Sequence, residues 1–394
     1  MSRSGRPTDD KPLPPLYAMT HGGIESTAAE EITRDIGGEV KKTARGLVVF
    51  RVNELTDKVL SLRTTEDVFL MAWGTGSLTY KNEDLETIRT WTARKPDWEH
   101  LFKLHHKIRP KTKGRPTYHI VCQMQGEHGF RRADARAAFM EGLAGKIPHG
   151  WHYSNENAWL EIWLTIYSKT AVCGVRLSDR TMRHRAYKLD HVIASLRPTV
   201  AAAMVRLAGI GPEMTVLDPF CGAGTIMAET ITVAEQRSKA GKVRVIGGDI
   251  DPNAVFVTSQ NLANVGRADL ARWDATALPL EAASVDRIIS NPPFGKQLES
   301  IEKIGPLYEA AAEEMNRVLK PGGRAVLLAM EHEGLKRVLQ SPVGTGAADA
   351  HPPARPAVGA ERVEQAGVMP EVRRTALPQP QGVRTIFPLG NRRF

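Results

Sequence analysis

In the first part of the chain, short apolar runs switch between strand and helix periodicity. LYAMT (16–20) reads as a strand. A helix is predicted from about Ser26, a good N-cap type, through Glu30 to a stop at Gly37-Gly38. GLVVFRV (46–52) reads as a strand, ELTDKVLSL (54–62) as a helix and DVFLMAW (67–73) as a strand. A further helix is predicted from Arg131 to Lys146, followed by a β-hairpin in AWLEIWLTIYSKTAVCGVRL (158–177).

From about residue 201 the pattern changes to buried strands alternating with helices, the mark of a parallel α/β sheet. In MTVLDPFCGAGT (214–225), Val216 and Leu217 close an apolar strand and Asp218 stands at its tip. Gly222-Ala223-Gly224-Thr225 then opens a helix with Ile226, Met227, Thr230 and Val233 at helical spacing. A second strand (Val243, Val245, Ile246) runs into Asp249. Asp251 caps the next helix, Pro252 is its first residue, and Gly266 follows its end. A third strand tip carries Trp273-Asp274-Ala275. VDRIISNPPFG (285–295) is another apolar strand, ending in Asn291-Pro292-Pro293-Phe294.

Acids and glycines at successive strand tips imply a ligand crevice at the carboxyl edge of the sheet. The glycine turn is not a dinucleotide fingerprint, because the third glycine of G-x-G-x-x-G would fall at Met227. It also lacks the Lys-Ser/Thr pair of a P-loop. Asp249 can accept from ribose hydroxyls and Asp274 from an adenine amino group. Asn291 offers a side-chain carbonyl, Pro292 a backbone carbonyl and Phe294 a ring face for a planar base. Two acceptors can hold both hydrogens of an exocyclic amine and push its nitrogen toward tetrahedral geometry. The chemistry implied is methyl transfer from S-adenosylmethionine (SAM) to an amino nitrogen, with positioning supplying most of the catalysis.

VLDPFCGAGT, GGDIDPNAV, RWDATALPL and DRIISNPPFGKQL resemble the sequential motifs of class I SAM-dependent amino methyltransferases. The resemblance implies a Rossmann-like fold and SAM as cofactor. It implies a cofactor set of Asp218, Phe220, Gly222, Gly224, Thr225, Asp249, Asp274 and Asn291, and a catalytic set of Asn291, Pro292 and Phe294. The same Asn-Pro-Pro-aromatic signature occurs in adenine-N6 DNA methyltransferases and protein glutamine methyltransferases, so it does not choose a substrate.

Charge bears on that choice. The chain carries a net +9 over 394 residues, but residues 101–200 hold 17 Lys and Arg against 7 Asp and Glu, a net of +10. Eight of the 12 histidines lie there too. A localised excess of this kind reads as a nucleic-acid footprint. Its aromatic residues (Tyr118, Trp151, Tyr153, Trp159, Trp163, Tyr167) mostly alternate with apolar neighbours and read as core. Three widely spaced cysteines imply neither a disulfide framework nor a zinc site, and no metal is expected. No apolar run reaches membrane length, and residues 1–14 lack the apolar segment of a signal peptide. A cytoplasmic protein with no membrane association and no obligatory protein partner is expected.

AVCGVRLSDRTMRHRAYK running into LDHVIASLRPTVAAAM resembles the junction of a THUMP RNA-binding domain with its methyltransferase. Nearly the whole chain resembles the THUMP-containing tRNA guanine-N2 methyltransferases that act at position 6 of the acceptor stem. That implies a disordered tail (1–14), an α+β ferredoxin-like domain (15–95), a THUMP domain (96–178), a linker (179–200) and a Rossmann-like methyltransferase domain (201–394). Its sheet would be completed by strands in EVRRTALPQ (371–379) and GVRTIFPLG (382–390). Residues 341–360 depart from the family pattern as a low-complexity insertion. The partner implied is tRNA. Candidate RNA contacts are Lys111, Lys113, Arg115, Arg131, Arg132 and Arg136, with Arg183, Arg185 and Lys188 near the domain junction. Rival readings are guanine-N2 methylation at tRNA position 10 or in ribosomal RNA, an N6-adenine DNA methyltransferase, and a non-catalytic RNA-binding protein that keeps the fold.

Overall fold

The computed structural model describes residues 11–111, 113–189, 196–237, 242–293, 304–329 and 385–388. The chain divides into two compact units, one of residues 1–19 and 29–182, the other of residues 20–28 and 183–394.

The first unit contains β1 (Leu16–Met19), most of α1 (Glu25–Ile36), β2 (Glu39–Ala44), β3 (Leu47–Arg51), β4 (Asp67–Thr75), α2 (Glu83–Arg94), α3 (Trp98–Ile108), β5 (Thr117–Gln125), α4 (Arg132–Leu143), β6 (His152–Tyr153), β7 (Leu160–Tyr167) and β8 (Thr170–Arg176). The strands form one sheet in the order β2-β3-β1-β4-β8-β7-β5-β6. The expected hairpin is β7–β8, in register from Ile162–Val175 to Tyr167–Thr170. Tyr17 stacks on Phe69 with ring centroids 4.6 Å apart, and Gly174 lies against the Tyr17 ring. A Cβ at Gly174 would sit 2.4 Å from the Leu70 carbonyl oxygen and 2.7 Å from the Tyr17 ring, so this crossing requires glycine.

One expectation changes here. Residues 54–62 form only a 3₁₀ turn, Asp57–Leu60, although Leu55, Val59 and Leu62 are buried at the spacing that suggested a helix. So short a segment cannot repay helix nucleation, and packing places its apolar groups without one. Antiparallel pairing of β4 with β8 puts strands from residues 15–95 and from residues 96–178 into one sheet. β5 lies inside the basic stretch, where charged flanks hid its alternation.

The second unit contains α5 (Pro198–Ala208), β9 (Thr215–Asp218), α6 (Thr225–Arg237), β10 (Arg244–Asp249), α7 (Pro252–Leu262), β11 (Asp269–Arg272), β12 (Val285–Ser290), α8 (Ile304–Val318), β13 (Leu319–Ala329) and β14 (Thr385–Pro388). Its sheet is parallel throughout, in the order β11-β10-β9-β12-β13-β14. Both faces are covered, which explains the continuous apolar runs. Leu217 and Ile288 face Tyr308, Ala312 and Met315 of α8, whereas Val216 and Ile289 face Val200, Met204 and Val205 of α5. α7 has the predicted start, with Asp251 accepting the Asn253 N–H at 2.9 Å and Pro252 at the first position.

The expected linker 179–200 is partly structural in this unit. α5 begins at Pro198, and Tyr187 and Arg185 meet Glu229 of α6. β14 lies within the expected terminal strand 382–390. Residues 1–10 of the tail, the insertion 341–360 and the strand 371–379 lie outside the described residues.

Candidate active site

Strand order reverses between β9 and β12. From β9 the chain builds outward through β10 to β11, then returns to β12 on the other side of β9. The tips of β9 and β12 therefore flank the position where open α/β sheets bind ligands. β9 ends at Asp218 and β12 at Ser290, and a hydrogen bond joins these two residues from segments about seventy residues apart, with Asn291 next along the chain.

The glycine turn after β9 is held from behind. Gly222 and Gly224 have φ values of 43° and 64°, the left-handed region that favours glycine. Thr258 Oγ1 donates to the Gly222 carbonyl at 2.9 Å, and Asn261 Nδ2 donates to the Ala223 carbonyl at 3.2 Å, both from α7. A Cβ at Gly224 would lie 2.7 Å from the Thr258 methyl carbon. At Gly222 it would meet nothing nearer than 4.0 Å, so the front of the turn is an open cradle. Thr225 Oγ1 is buried there without a hydrogen-bond partner.

The three acids differ in environment. Asp218 is 2% exposed; its Oδ1 accepts from Ser290 Oγ at 2.5 Å and from the Phe220 N–H at 3.3 Å. Burial pushes its carboxyl up to about 7, the Asp249 charge adds to the rise, and the two hydrogen bonds oppose it. Asp249 accepts the Gly222 N–H on Oδ2 at 3.0 Å and the Asp251 N–H on Oδ1 at 3.1 Å. Burial raises its carboxyl as well, against those hydrogen bonds. Asp274 is exposed, and its Oδ1 takes the N–H and hydroxyl of Thr276 at 2.9 and 2.8 Å. Between Asp249 and Asp251, Ile250 is 61% exposed, an apolar surface at the β10 tip that the sequence reading did not single out.

Asn291 has a buried Oδ1 without a hydrogen-bond partner. A buried acceptor left unsatisfied costs about 1–3 kcal/mol, which a donor from a substrate would recover. Pro292 is buried, and the carbonyl of Pro293 accepts from Tyr308 Oη at 3.0 Å, which ties the turn to α8. Phe294 lies outside the described residues. Phe220 packs half-buried against the core under α8.

Four residues that the sequence reading missed hold this site: Ser290, Thr258, Asn261 and Tyr308. Trp273, already noted at its strand tip, also braces the site, its Nε1 donating to the Pro219 carbonyl at 3.0 Å. Cys221 is buried and its thiol is pushed well above its ordinary value by burial, which fits packing in the turn.

The junction residues are placed less uniformly than expected. Arg185 is 9% exposed and paired at 3.2 Å with the fully buried Glu229, so its charge is neutralised internally. Lys188 is half-buried; Nζ donates to the Leu196 carbonyl at 3.1 Å, and burial lowers its ammonium to about 8. Arg183 is half-buried. In the first unit, Lys113, Arg115, Arg131 and Arg132 are exposed, while Lys111 and Arg136 are half-buried. Among the described residues no group of His, Cys, Asp and Glu is arranged to hold a metal ion, and no helix is long and apolar enough to cross a membrane.

Residues 185–347 match the RMKL-like methyltransferase domain of the UPF0020 family. The chain is 28% identical over 361 residues to the tRNA (guanine(6)-N2)-methyltransferase of Thermus thermophilus, covering 91% of this chain and 98% of that protein. It is 31% identical over 238 residues to the bovine tRNA (guanine(6)-N(2))-methyltransferase THUMP3, covering 56% of this chain but only 45% of the relative. The crystal structure of TrmN from Thermus thermophilus superposes with a TM-score of 0.65 at 26% identity, over 82% of this chain and 91% of that one. The second unit thus has a Rossmann-like methyltransferase fold similar to the RMKL-like methyltransferase domain, in a chain similar along most of its length to a tRNA guanine-N2 methyltransferase.

Proposed function

We propose that this chain transfers a methyl group from SAM to the exocyclic N2 of a guanosine in tRNA, at position 6 of the acceptor stem. The observation that carries the reading is the buried, unpartnered Oδ1 of Asn291 at the switch point, beside the open glycine cradle. The choice of tRNA and of position 6 is supported by similarity to the Thermus enzyme over almost its whole length.

The residues fit the cofactor. The Gly222–Gly224 cradle accepts a chain without side-chain obstruction, and Asp218 and Asp249 supply negative charge beside it. Asp249 retains lone pairs for ribose hydroxyls, Ile250 offers an apolar wall for a purine, and Asp274 Oδ2 is left for an amino group. When bound, SAM supplies a methyl group already activated on a sulfonium.

The guanine N2 lone pair is delocalised into the ring and nucleophilically weak. Asn291 Oδ1 accepts one of its hydrogens and the backbone carbonyl of Pro292 the other, which localises the lone pair. The resemblance gives Phe294 the part of stacking on the base. No strong general base is required, so the protein contributes orientation and exclusion of water. To reach the pocket the nucleotide leaves its helix.

The basic first unit, which we read as including a THUMP-type RNA-binding module over residues 96–178, grips the tRNA. Such binding weakens steeply with salt through counterion release. We place the enzyme in the cytoplasm with its substrate. The test is in vitro methylation of an unmodified tRNA transcript by the full chain, followed by nuclease mapping and mass spectrometry. N2-methylguanosine at position 6 is expected. The same nucleoside at position 10 alone would move the target, and methyladenosine would overturn the reading.

A further inference from the structure

The segment that opens the second unit, Arg185–Leu189, is tied to the glycine turn from two sides. Asn261 of α7 is buried and uses both ends of its amide. Nδ2 donates to the Ala223 carbonyl at 3.2 Å, and Oδ1 accepts the Leu189 N–H at 3.1 Å. One bond needs a donor and the other an acceptor, so together they fix the amide's orientation. The second tie runs through α6. Tyr187 Oη donates to Glu229 Oε1 at 2.8 Å, and Arg185 Nε donates to the same oxygen at 3.2 Å. Glu229 is fully buried one turn after Thr225, whose Oγ1 is buried without a hydrogen-bond partner at the head of that helix.

The Leu189 side chain is 62% exposed, so its packing contributes little to holding this end of the segment. Its N–H does the holding, shared between Asn261 and the Tyr187 carbonyl at 3.0 Å. On the other side, Ala223 stands between Gly222 and Gly224, both at positive φ. Glycine loses more conformational freedom on ordering than any other residue, so such a turn depends on what braces it. Apparent ligand affinity falls with the fraction of molecules whose site is set for binding.

We propose that Asn261 is a positioning residue for SAM, and that through it the segment Arg185–Leu189 tunes the affinity of the glycine turn for the cofactor. The inference rests on the reading of the turn as the SAM cradle. Such coupling is reciprocal: what the segment adds to SAM affinity, bound cofactor returns by holding the segment.

The test uses the full chain and S-adenosylhomocysteine (SAH), the product left by methyl transfer, without turnover. SAH should slow hydrogen exchange of the amides at 185–189, read by mass spectrometry of peptides covering that segment. Tyr187→Phe removes one hydroxyl from the Glu229 contact and should weaken SAH binding roughly twofold to tenfold in calorimetry. Asn261→Leu keeps the size of the side chain and removes both of its bonds. It should weaken SAH binding roughly tenfold or more and abolish the protection at 185–189, while the β10 tip at 249–251 stays protected. A purely structural role would lower the urea midpoints of both variants and leave the SAH affinity of the folded protein unchanged, which overturns the proposal. So does SAH binding to the unmodified chain with no change of exchange at 185–189. Should Asn261→Leu fail to fold, Tyr187→Phe and the exchange of the unmodified chain decide. An unmodified chain that does not bind SAH at all would overturn the cofactor reading and this inference with it. Binding with a silent segment overturns this inference alone.

Discussion

Ser290 Oγ donates to Asp218 Oδ1 at 2.5 Å, joining the last residue of β12 to the last residue of β9 where the strand order reverses. The residue after Ser290 is Asn291, so this bond sets the spacing between the cofactor cradle and the reaction site. Ser290→Ala should cost about 1–3 kcal/mol, because a buried carboxyl loses its nearest donor. It should raise the Asp218 pKa further and weaken SAM binding. Urea unfolding and calorimetric SAM titration check this, and a variant unchanged in both would reduce the bond to a packing detail.

Asp218 also predicts a pH dependence. Its carboxyl lies near 7 in the folded protein, against about 4 in an unfolded chain. The folded state then binds the extra proton. The stability this contributes is complete below pH 4, and it is lost as pH rises through about 7. Asp218→Asn should flatten that decline and be the more stable form above pH 7, as urea titrations across the pH range would reveal. A cationic ligand favours the ionised carboxylate, so SAM binding near pH 6.5 should release protons. Calorimetry in buffers of different ionisation enthalpy reads that release, and proton uptake on binding would contradict the assignment.

Asp249 has a double task that its position in the sequence did not reveal. It is expected to hold ribose, and it also accepts the N–H groups of Gly222 and Asp251. Asp249→Ala should therefore lower SAM affinity roughly tenfold or more, since a charge-assisted bond contributes about 1.5–3 kcal/mol, and should loosen the turn as well. tRNA affinity should hold. Unchanged SAM affinity in the folded variant would remove Asp249 from the site.

These residues also mark what was legible in the sequence. β9, β10 and β12 could be read because both their faces are buried, which leaves unbroken apolar runs, and because Gly222, Asp249 and Asn291 punctuate their tips. Pro252 and Asp251 gave the start of α7 for the same local reason. Thr258, Asn261, Ser290 and Tyr308 could not be read. Each acts through a partner brought near by the fold: Thr258 reaches a carbonyl 36 residues away, and Ser290 a carboxylate 72 residues away. In the first unit, Leu55, Val59 and Leu62 suggested a helix because burial at helical spacing does not require one. Tyr153 is 41% exposed on β6 at the end of its sheet, a position that the sequence does not mark. The pairing of Arg185 with the buried Glu229 was not legible either, because the two lie 44 residues apart.

Asn291 gives the sharpest prediction. Its Oδ1 is buried and unpartnered, so removing it breaks no hydrogen bond of the free protein. Asn291→Ala should leave fold and tRNA affinity nearly intact, an outcome not expected of a residue that merely closes a turn. Turnover should fall by roughly 10²–10³, the usual effect of losing one positioned polar group at a reaction centre. Asn291→Asp separates the acceptor from the amide. It keeps the shape and the acceptor but places a charge near Asp218, whose carboxyl burial already pushes up. If the amide serves only as an acceptor, the Asp variant should keep measurable activity where the Ala variant keeps little. Single-turnover methylation with saturating SAM and tRNA measures the chemical step directly. Near-normal rates in both variants would make Asn291 a structural residue and move the amine-holding role elsewhere.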